Sequence, residues 1–172
     1  METYTQLNHK SYKKLKSIAE IAKNEIIDSL STTLEENNML NKVDFIEFRI
    51  KDYNSLINKM KYKEYELTSM SMLKNINDFI GIRFVCKNIN NVYSLVKCIN
   101  EVGKLKIINE KDYIKNPKKT GYQSYHIIIQ YDFNIKNNII PFKVELQIRT
   151  YQMELWANWA HDLFYKKRAY VM

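Results

Sequence analysis

The chain has 172 residues, 45% of them hydrophobic and 13% aromatic, which suits one packed domain and excludes a disordered chain. With 3 glycines and 2 prolines it is not a sandwich or barrel built on tight turns, and no apolar run reaches membrane-spanning length. The 27 basic against 19 acidic residues give a formal charge of +8, which suits nucleotide or RNA partners, although a lysine-biased composition accounts for the surplus equally well.

Leu15, Ile18, Ala19, Ala22, Ile26 and Leu30 recur at helical spacing and predict an amphipathic helix over 9–30. Lys10, Lys13, Lys14 and Lys16 lie on its outer face, and the polar stretch 31–41 reads as a connector. Alternation then predicts a strand over 45–51, with Phe48 and Ile50 on one side and Glu47, Arg49 and Lys51 on the other. A helix over 52–63 places Ser55 and Lys59 four residues apart on one face. A buried strand over 78–86, a helix over 89–101 and a strand near 105–108 follow, leading to a basic loop over 111–120. Strands over 122–131 and 142–149 precede a closing helix over 151–165, with Met153, Trp156, Ala160 and Phe164 turned inward. The order α–β–α–β–α–β–β–β–α predicts an α+β fold: a mixed sheet of about five strands with flanking helices.

The chemistry concentrates on the polar faces of these strands. Phe142, Val144, Leu146 and Ile148 share one face, which leaves Lys143, Glu145, Gln147 and Arg149 on the other. A sheet packed on one side would simply solvate that face. Yet Arg49 and Lys51 form a similar face, as do Tyr122, Ser124 and His126, so several strands together suggest a concave polar site. The loop from Lys111 to Tyr122 interleaves lysines with aromatics beside Gly121, a pattern suited to phosphate and base contacts, or to an ordinary solvated hairpin. Cys86 and Cys98 form no close-spaced ligand motif.

Six segments carry a resemblance: Arg49-x-Lys51-x-x-x-Ser55-x-x-x-Lys59, Asp78-Phe79-Ile80-Gly81-Ile82-Arg83, Lys111-Asp112-Tyr113-Ile114, Pro117-Lys118, Gly121-Tyr122-Gln123-Ser124-x-His126, and Val144-Glu145-Leu146-Gln147-Ile148-Arg149-Thr150. In this order and spacing the chain resembles the synthetase domain of RelA/SpoT-like proteins of the small alarmone synthetase type, over a core of about 45–166. The resemblance implies a nucleotidyltransferase-like fold and transfer of the β,γ-pyrophosphate of ATP to the 3′ hydroxyl of GDP or GTP, releasing AMP.

It further implies roles for residues that match the family's motifs. Arg49, Lys51, Ser55 and Lys59, with Arg83, match the ATP side. Asp78 and Glu145 match the family's two acidic residues: Asp78 as the main ligand of Mg²⁺, with Mn²⁺ as a substitute, and Glu145 as a second ligand, the general base for the acceptor hydroxyl, or both. Tyr122 matches the tyrosine that stacks on guanine, and Lys111, Lys118 and His126 match positions at the acceptor phosphates. Gln147, Arg149 and His161 are expected to support the site. Thr120 replaces the asparagine that usually precedes Gly-Tyr, and Asn109 stands where arginine is common.

The expectation is therefore a cytoplasmic (p)ppGpp synthetase in a single domain over 1–172, acting on ATP and GDP or GTP without a membrane. Two alternatives stand beside it: a toxin-type relative that modifies tRNA 3′ ends or adenosine nucleotides, and a catalytically silent nucleotide- or RNA-binding module. The intact Asp78 and Glu145 disfavour the silent module. Acceptor choice and homo-oligomer formation are left open.

Overall fold

The computed structural model of the chain describes residues 6–101, 105–135 and 137–169, with side chains described through residue 160. The elements run α1 (His9–Glu36), a 3-10 turn (Leu40–Lys42), β1 (Val43–Ile50), α2 (Tyr53–Tyr62), α3 (Ser69–Asn75), β2 (Ile80–Cys86), α4 (Ile89–Glu101), β3 (Lys106–Asp112), β4 (Tyr125–Ile135), β5 (Asn138–Thr150) and α5 (Tyr151–Ala169).

The strands form one five-stranded sheet in the order β1-β2-β5-β4-β3. β2 and β5 pair in parallel at its centre, and the other pairings are antiparallel, so the sheet is mixed as expected. One face is apolar. Ile80, Ile82 and Phe84 of β2 and Phe142, Val144, Leu146 and Ile148 of β5 are all essentially buried beneath α1 to α4. Each such side chain contributes roughly 1.5–3 kcal/mol of burial. A slip of one residue would turn Glu145 and Gln147 into this core, so packing fixes the register and leaves the polar residues on the opposite face.

α1 starts at a capping box, in which Asn8 accepts from the amides of Lys10 and Ser11 while Ser11 Oγ accepts from the Asn8 amide. It continues to Glu36 through the stretch expected as a connector. Leu34 extends the stripe of Ile26 and Leu30 and is 1% exposed, so packing overrides local polarity there. Thr32 and Thr33 are accommodated by donating to the carbonyls of Asp28 and Ser29. Asn38, at φ 54, turns the chain out of the helix.

Three further differences concern local signals. α3 was not anticipated: it has seven residues, too few for a periodic pattern, and is set by Thr68, whose hydroxyl accepts from the Ser71 amide. β4 begins at Tyr125 rather than residue 122, because hydrogen bonds from the Lys118 amide to the Tyr122 carbonyl and from the Gly121 amide to the Lys118 carbonyl fold that segment into a turn. β5 begins at Asn138 and runs through Pro141. Pro141 lies beyond the end of β2, where β5 has a sheet neighbour on one side only and a missing N–H is tolerated.

α5 packs only in part as expected: Met153 lies against the core, but Trp156 does not. Trp156 and Trp159 are 42% and 55% exposed, with ring centroids 5.0 Å apart. The helix instead turns Glu154 inward, because it crosses the polar face of the sheet, where two arginines wait for a counter-charge. The expectation for Phe164 lies outside the described side chains. Among the described residues no helix is long and apolar enough to cross a membrane.

Candidate active site

The polar face is built from strand register. One row across the sheet reads Glu47, Arg83, Gln147, His126 and Lys111, and the row beside it reads Arg49, Gly81, Glu145 and Ile128. Gly81 thus separates Arg49 from Glu145 without a side chain, and a Cβ there would stand 3.4 Å from Arg49 Cγ. The result is a cleft of about 370 Å³ lined by Arg49, Asp78, Gly81, Arg83, Glu145 and Gln147, among others. That volume matches the lower range of pockets that hold small ligands.

At one side of the cleft, Asp78 precedes β2. Lys51, at the end of β1, and Lys59, on α2, both approach its Oδ2, at 3.1 and 2.8 Å. Asp52 caps α2 by accepting from the Ser55 amide, which sets Ser55 and Lys59 along that helix. The Tyr12 hydroxyl donates to the Lys51 carbonyl and ties α1 to the same corner. Burial alone would raise the Asp78 pKa, but the charges and hydrogen bonds of Lys51 and Lys59 outweigh it and hold the carboxyl below its ordinary value. Asp78 Oδ1 is buried and has no hydrogen-bond partner.

Glu145 is held at both oxygens. Oε1 faces His126 Nδ1 at 3.1 Å and Oε2 accepts from Gln147 Nε2 at 2.7 Å. His126 Nε2 in turn lies 2.8 Å from the Tyr122 hydroxyl. The imidazole tautomer with hydrogen on Nδ1 satisfies both contacts: Nδ1–H donates to Glu145 and the Tyr122 hydroxyl donates to Nε2. Burial pushes Glu145 up, but the hydrogen bond from His126, with that of the Gln147 amide, brings its pKa below the ordinary value. Tyr122 is pushed up, chiefly by burial.

Around Tyr122 the loop closes as a cluster of rings and cations. Lys118 Nζ lies 4.7 Å from the Tyr122 ring centroid and 4.5 Å from that of Tyr113, while Tyr113 and Tyr122 both meet His126 edge-on. The Arg149 guanidinium is 5.9 Å from the Tyr122 ring. Asp112 shapes the loop by accepting from the amides of Ile114 and Lys115. Gly121, at φ +79, lies against Trp156, where a Cβ would come within 3.1 Å of the indole. Thr120 is exposed in this turn, and Lys111 is exposed on β3 rather than in the loop.

Most of the sequence-predicted residues therefore share one face. Ser124 does not: it is fully buried, and its hydroxyl donates to the Ile148 carbonyl. Arg149 is 2% exposed and joined to Glu154, Nε to Oε2 at 2.6 Å and Nη2 to the same oxygen. His161 lies outside the described side chains. Glu154 lies outside the six motif segments, although an acid in the first helical turn after Arg149-Thr150 is a signal that could have found it. Glu47 was visible as the neighbour of Arg49 on the β1 polar face, yet its bond to Arg83 at 2.8 Å needed the pairing of β1 with β2.

Comparison with known proteins adds four findings. GTP pyrophosphokinase YwaC of Bacillus subtilis is 34% identical over 165 residues, covering 88% of this chain and 79% of its own length. GTP pyrophosphokinase YjbM of the same organism is 26% identical over 140 residues, and the chain spans 65% of it. Among solved structures, small alarmone synthetase 2 from Bacillus subtilis superimposes with a TM-score of 0.79 at 30% identity, over 92% of this chain and 82% of that one. The family described as "Region found in RelA / SpoT proteins" matches residues 48–170, which span β1 to α5 and every residue of the cleft but Glu47. The chain belongs to the RelA/SpoT family.

Proposed function

We infer that this chain is a GTP pyrophosphokinase that makes (p)ppGpp from ATP and GDP or GTP. The 3′ oxygen of the acceptor attacks the β-phosphorus of ATP. A bond from that oxygen to Pβ forms, the bond between Pβ and the oxygen bridging to Pα breaks, and AMP leaves with the bridging oxygen. The acceptor hydroxyl proton goes to Glu145. Positioning and charge stabilisation dominate such transfers.

The observation that carries this reading is the pair of carboxylates facing one cleft with different environments. Asp78 is neutralised at one oxygen by two lysines and free at the other, while Glu145 is oriented by His126 and Gln147. Arg49 and Arg83 supply planar guanidinium groups at the ATP side, and Lys51, Ser55 and Lys59 stand where phosphates would draw the lysines from Asp78. Tyr122, Lys118 and Lys111 offer a ring and two ammonium groups for a guanine base and its phosphates, with Thr120 beside them.

The residues fit a divalent ion. Asp78 Oδ1 is a buried carboxylate oxygen without a donor, and each Glu145 oxygen retains a lone pair beyond its hydrogen bond. Among the described residues no group of three or more His, Cys, Asp or Glu forms a cage. Two carboxylates completed by substrate oxygens and water suit Mg²⁺, or Mn²⁺ in its place. Such an ion, when bound, offsets negative charge on the pyrophosphoryl group.

The test is incubation with labelled ATP, Mg²⁺ and GDP, GTP, GMP, AMP or tRNA in turn, with products resolved. Labelled product from GDP or GTP together with AMP is the expected result. No labelled product from any acceptor would overturn the reading.

A further inference from the structure

We propose that Glu154 is a positioning residue that joins the two substrate sides of the cleft through a pair of arginines. The proposal rests on the pyrophosphokinase reading for the identity of the two nucleotides. Glu154 comes from α5, outside the strands that carry the motifs, and is 4% exposed. Its Oε1 accepts from Arg83 Nη1 at 3.1 Å and from Asn158 Nδ2 at 2.8 Å. Its Oε2 takes Nε and Nη2 of Arg149. One buried carboxylate thus holds two guanidinium groups that would otherwise repel each other.

The two arginines lead in different directions. Arg83 lines the cleft together with Glu145, and its Nη1 is shared with Glu47, whose side chain is 54% exposed. Arg83 Nε is buried without a partner, and among the described residues the guanidinium is held through Nη1 by the two carboxylates. Arg149 lies under the Tyr122 ring region and has no carboxylate partner but Glu154 among the described residues. Loss of the Glu154 charge therefore loosens Arg83, which keeps only Glu47, and releases Arg149 beside the acceptor-side ring at the same time. Loss of the Glu47 charge removes one of the two Arg83 partners and leaves Arg149 held.

Titrations of full-length protein with a non-hydrolysable ATP analogue and, separately, with GDP test this without turnover. Glu154→Gln should weaken both by roughly tenfold, the scale typical when an outer partner of a binding group is removed. Glu47→Gln should weaken the ATP analogue alone, and Glu154→Asp, which keeps the charge, should recover much of both affinities. Thermal melts report folding of each variant. Unchanged affinity for either ligand in folded Glu154→Gln would overturn the proposal. Failure of both Glu154 variants to fold would also overturn it, in favour of a purely structural ion pair. Wild-type protein that binds both ligands yet makes no product would count against the pyrophosphokinase reading and leave these affinities still decisive for Glu154.

Discussion

Glu145 and His126 meet across β5 and β4, Oε1 against Nδ1 at 3.1 Å, so the expected base is oriented before any acceptor arrives. Glu145→Gln keeps the shape but cannot take the hydroxyl proton. Turnover should fall by roughly 10²–10⁴-fold, the usual share of general base catalysis, while affinity for ATP stays within about threefold. Steady-state rates and an ATP-analogue titration check the two halves separately.

The same contacts make an acid limb in stability. Glu145 and Asp78 both lie below their ordinary values of 4.5 and 3.8 when folded. In each, burial works the other way and is outweighed, by His126 and Gln147 for Glu145 and by Lys51 and Lys59 for Asp78. The unfolded chain therefore binds these protons more readily, and stability rises with pH through this range. The contribution is fully present above pH 4.5 and is lost as pH falls through the folded values. Urea midpoints measured from pH 6 to pH 3 should drop less steeply in Glu145→Gln than in wild type. Identical slopes would show that the pairing adds nothing to stability.

The proposed metal role of Asp78 has its own test. AMP release from ATP should require Mg²⁺ or Mn²⁺ and vanish in excess chelator, and Asp78→Asn should abolish it. The fold should survive, because asparagine keeps an oxygen toward Lys51 while Lys59, 37% exposed, can turn to water. Circular dichroism alongside a coupled AMP assay separates the two outcomes. Full activity in chelator would remove Asp78 as a metal ligand.

Tyr122 should act on the acceptor. Tyr122→Ala is expected to weaken GDP by the stacking energy of ~1–3 kcal/mol and to leave the ATP analogue nearly unchanged. Calorimetric titration with each nucleotide reads this directly. A loss confined to ATP would mean the acceptor site lies elsewhere.

Acceptor choice is open to two tests, one at Thr120 and one by salt. Threonine lacks the paired donor and acceptor of an amide, so Thr120→Asn should sharpen the preference for guanine over adenine. Transfer to GDP should decline modestly between low and moderate salt, whereas transfer to a tRNA end, with several phosphate contacts, would decline steeply. Labelled tRNA forming faster than labelled GDP or GTP product at equal concentrations would identify the toxin-type alternative.

The sequence by itself determined which face of each strand is polar. The alternation of Phe142 through Arg149 has period two, and burial of its apolar half left Glu145 and Gln147 no other side. Motif spacing likewise put Arg49, Asp78, Arg83, Tyr122 and His126 on a short list, because each segment is locally distinctive. Which of these touch was decided only by the order β1-β2-β5-β4-β3, which brings segments far apart in the chain into adjacent rows. The meeting of Lys51 and Lys59 on one oxygen of Asp78, and the capture of Arg83 and Arg149 by Glu154, belong to that level. Local patterns report the side a residue faces. A buried charge finds its partner through the whole fold, because the cost of leaving it unpaired is met by whichever element the packing brings near.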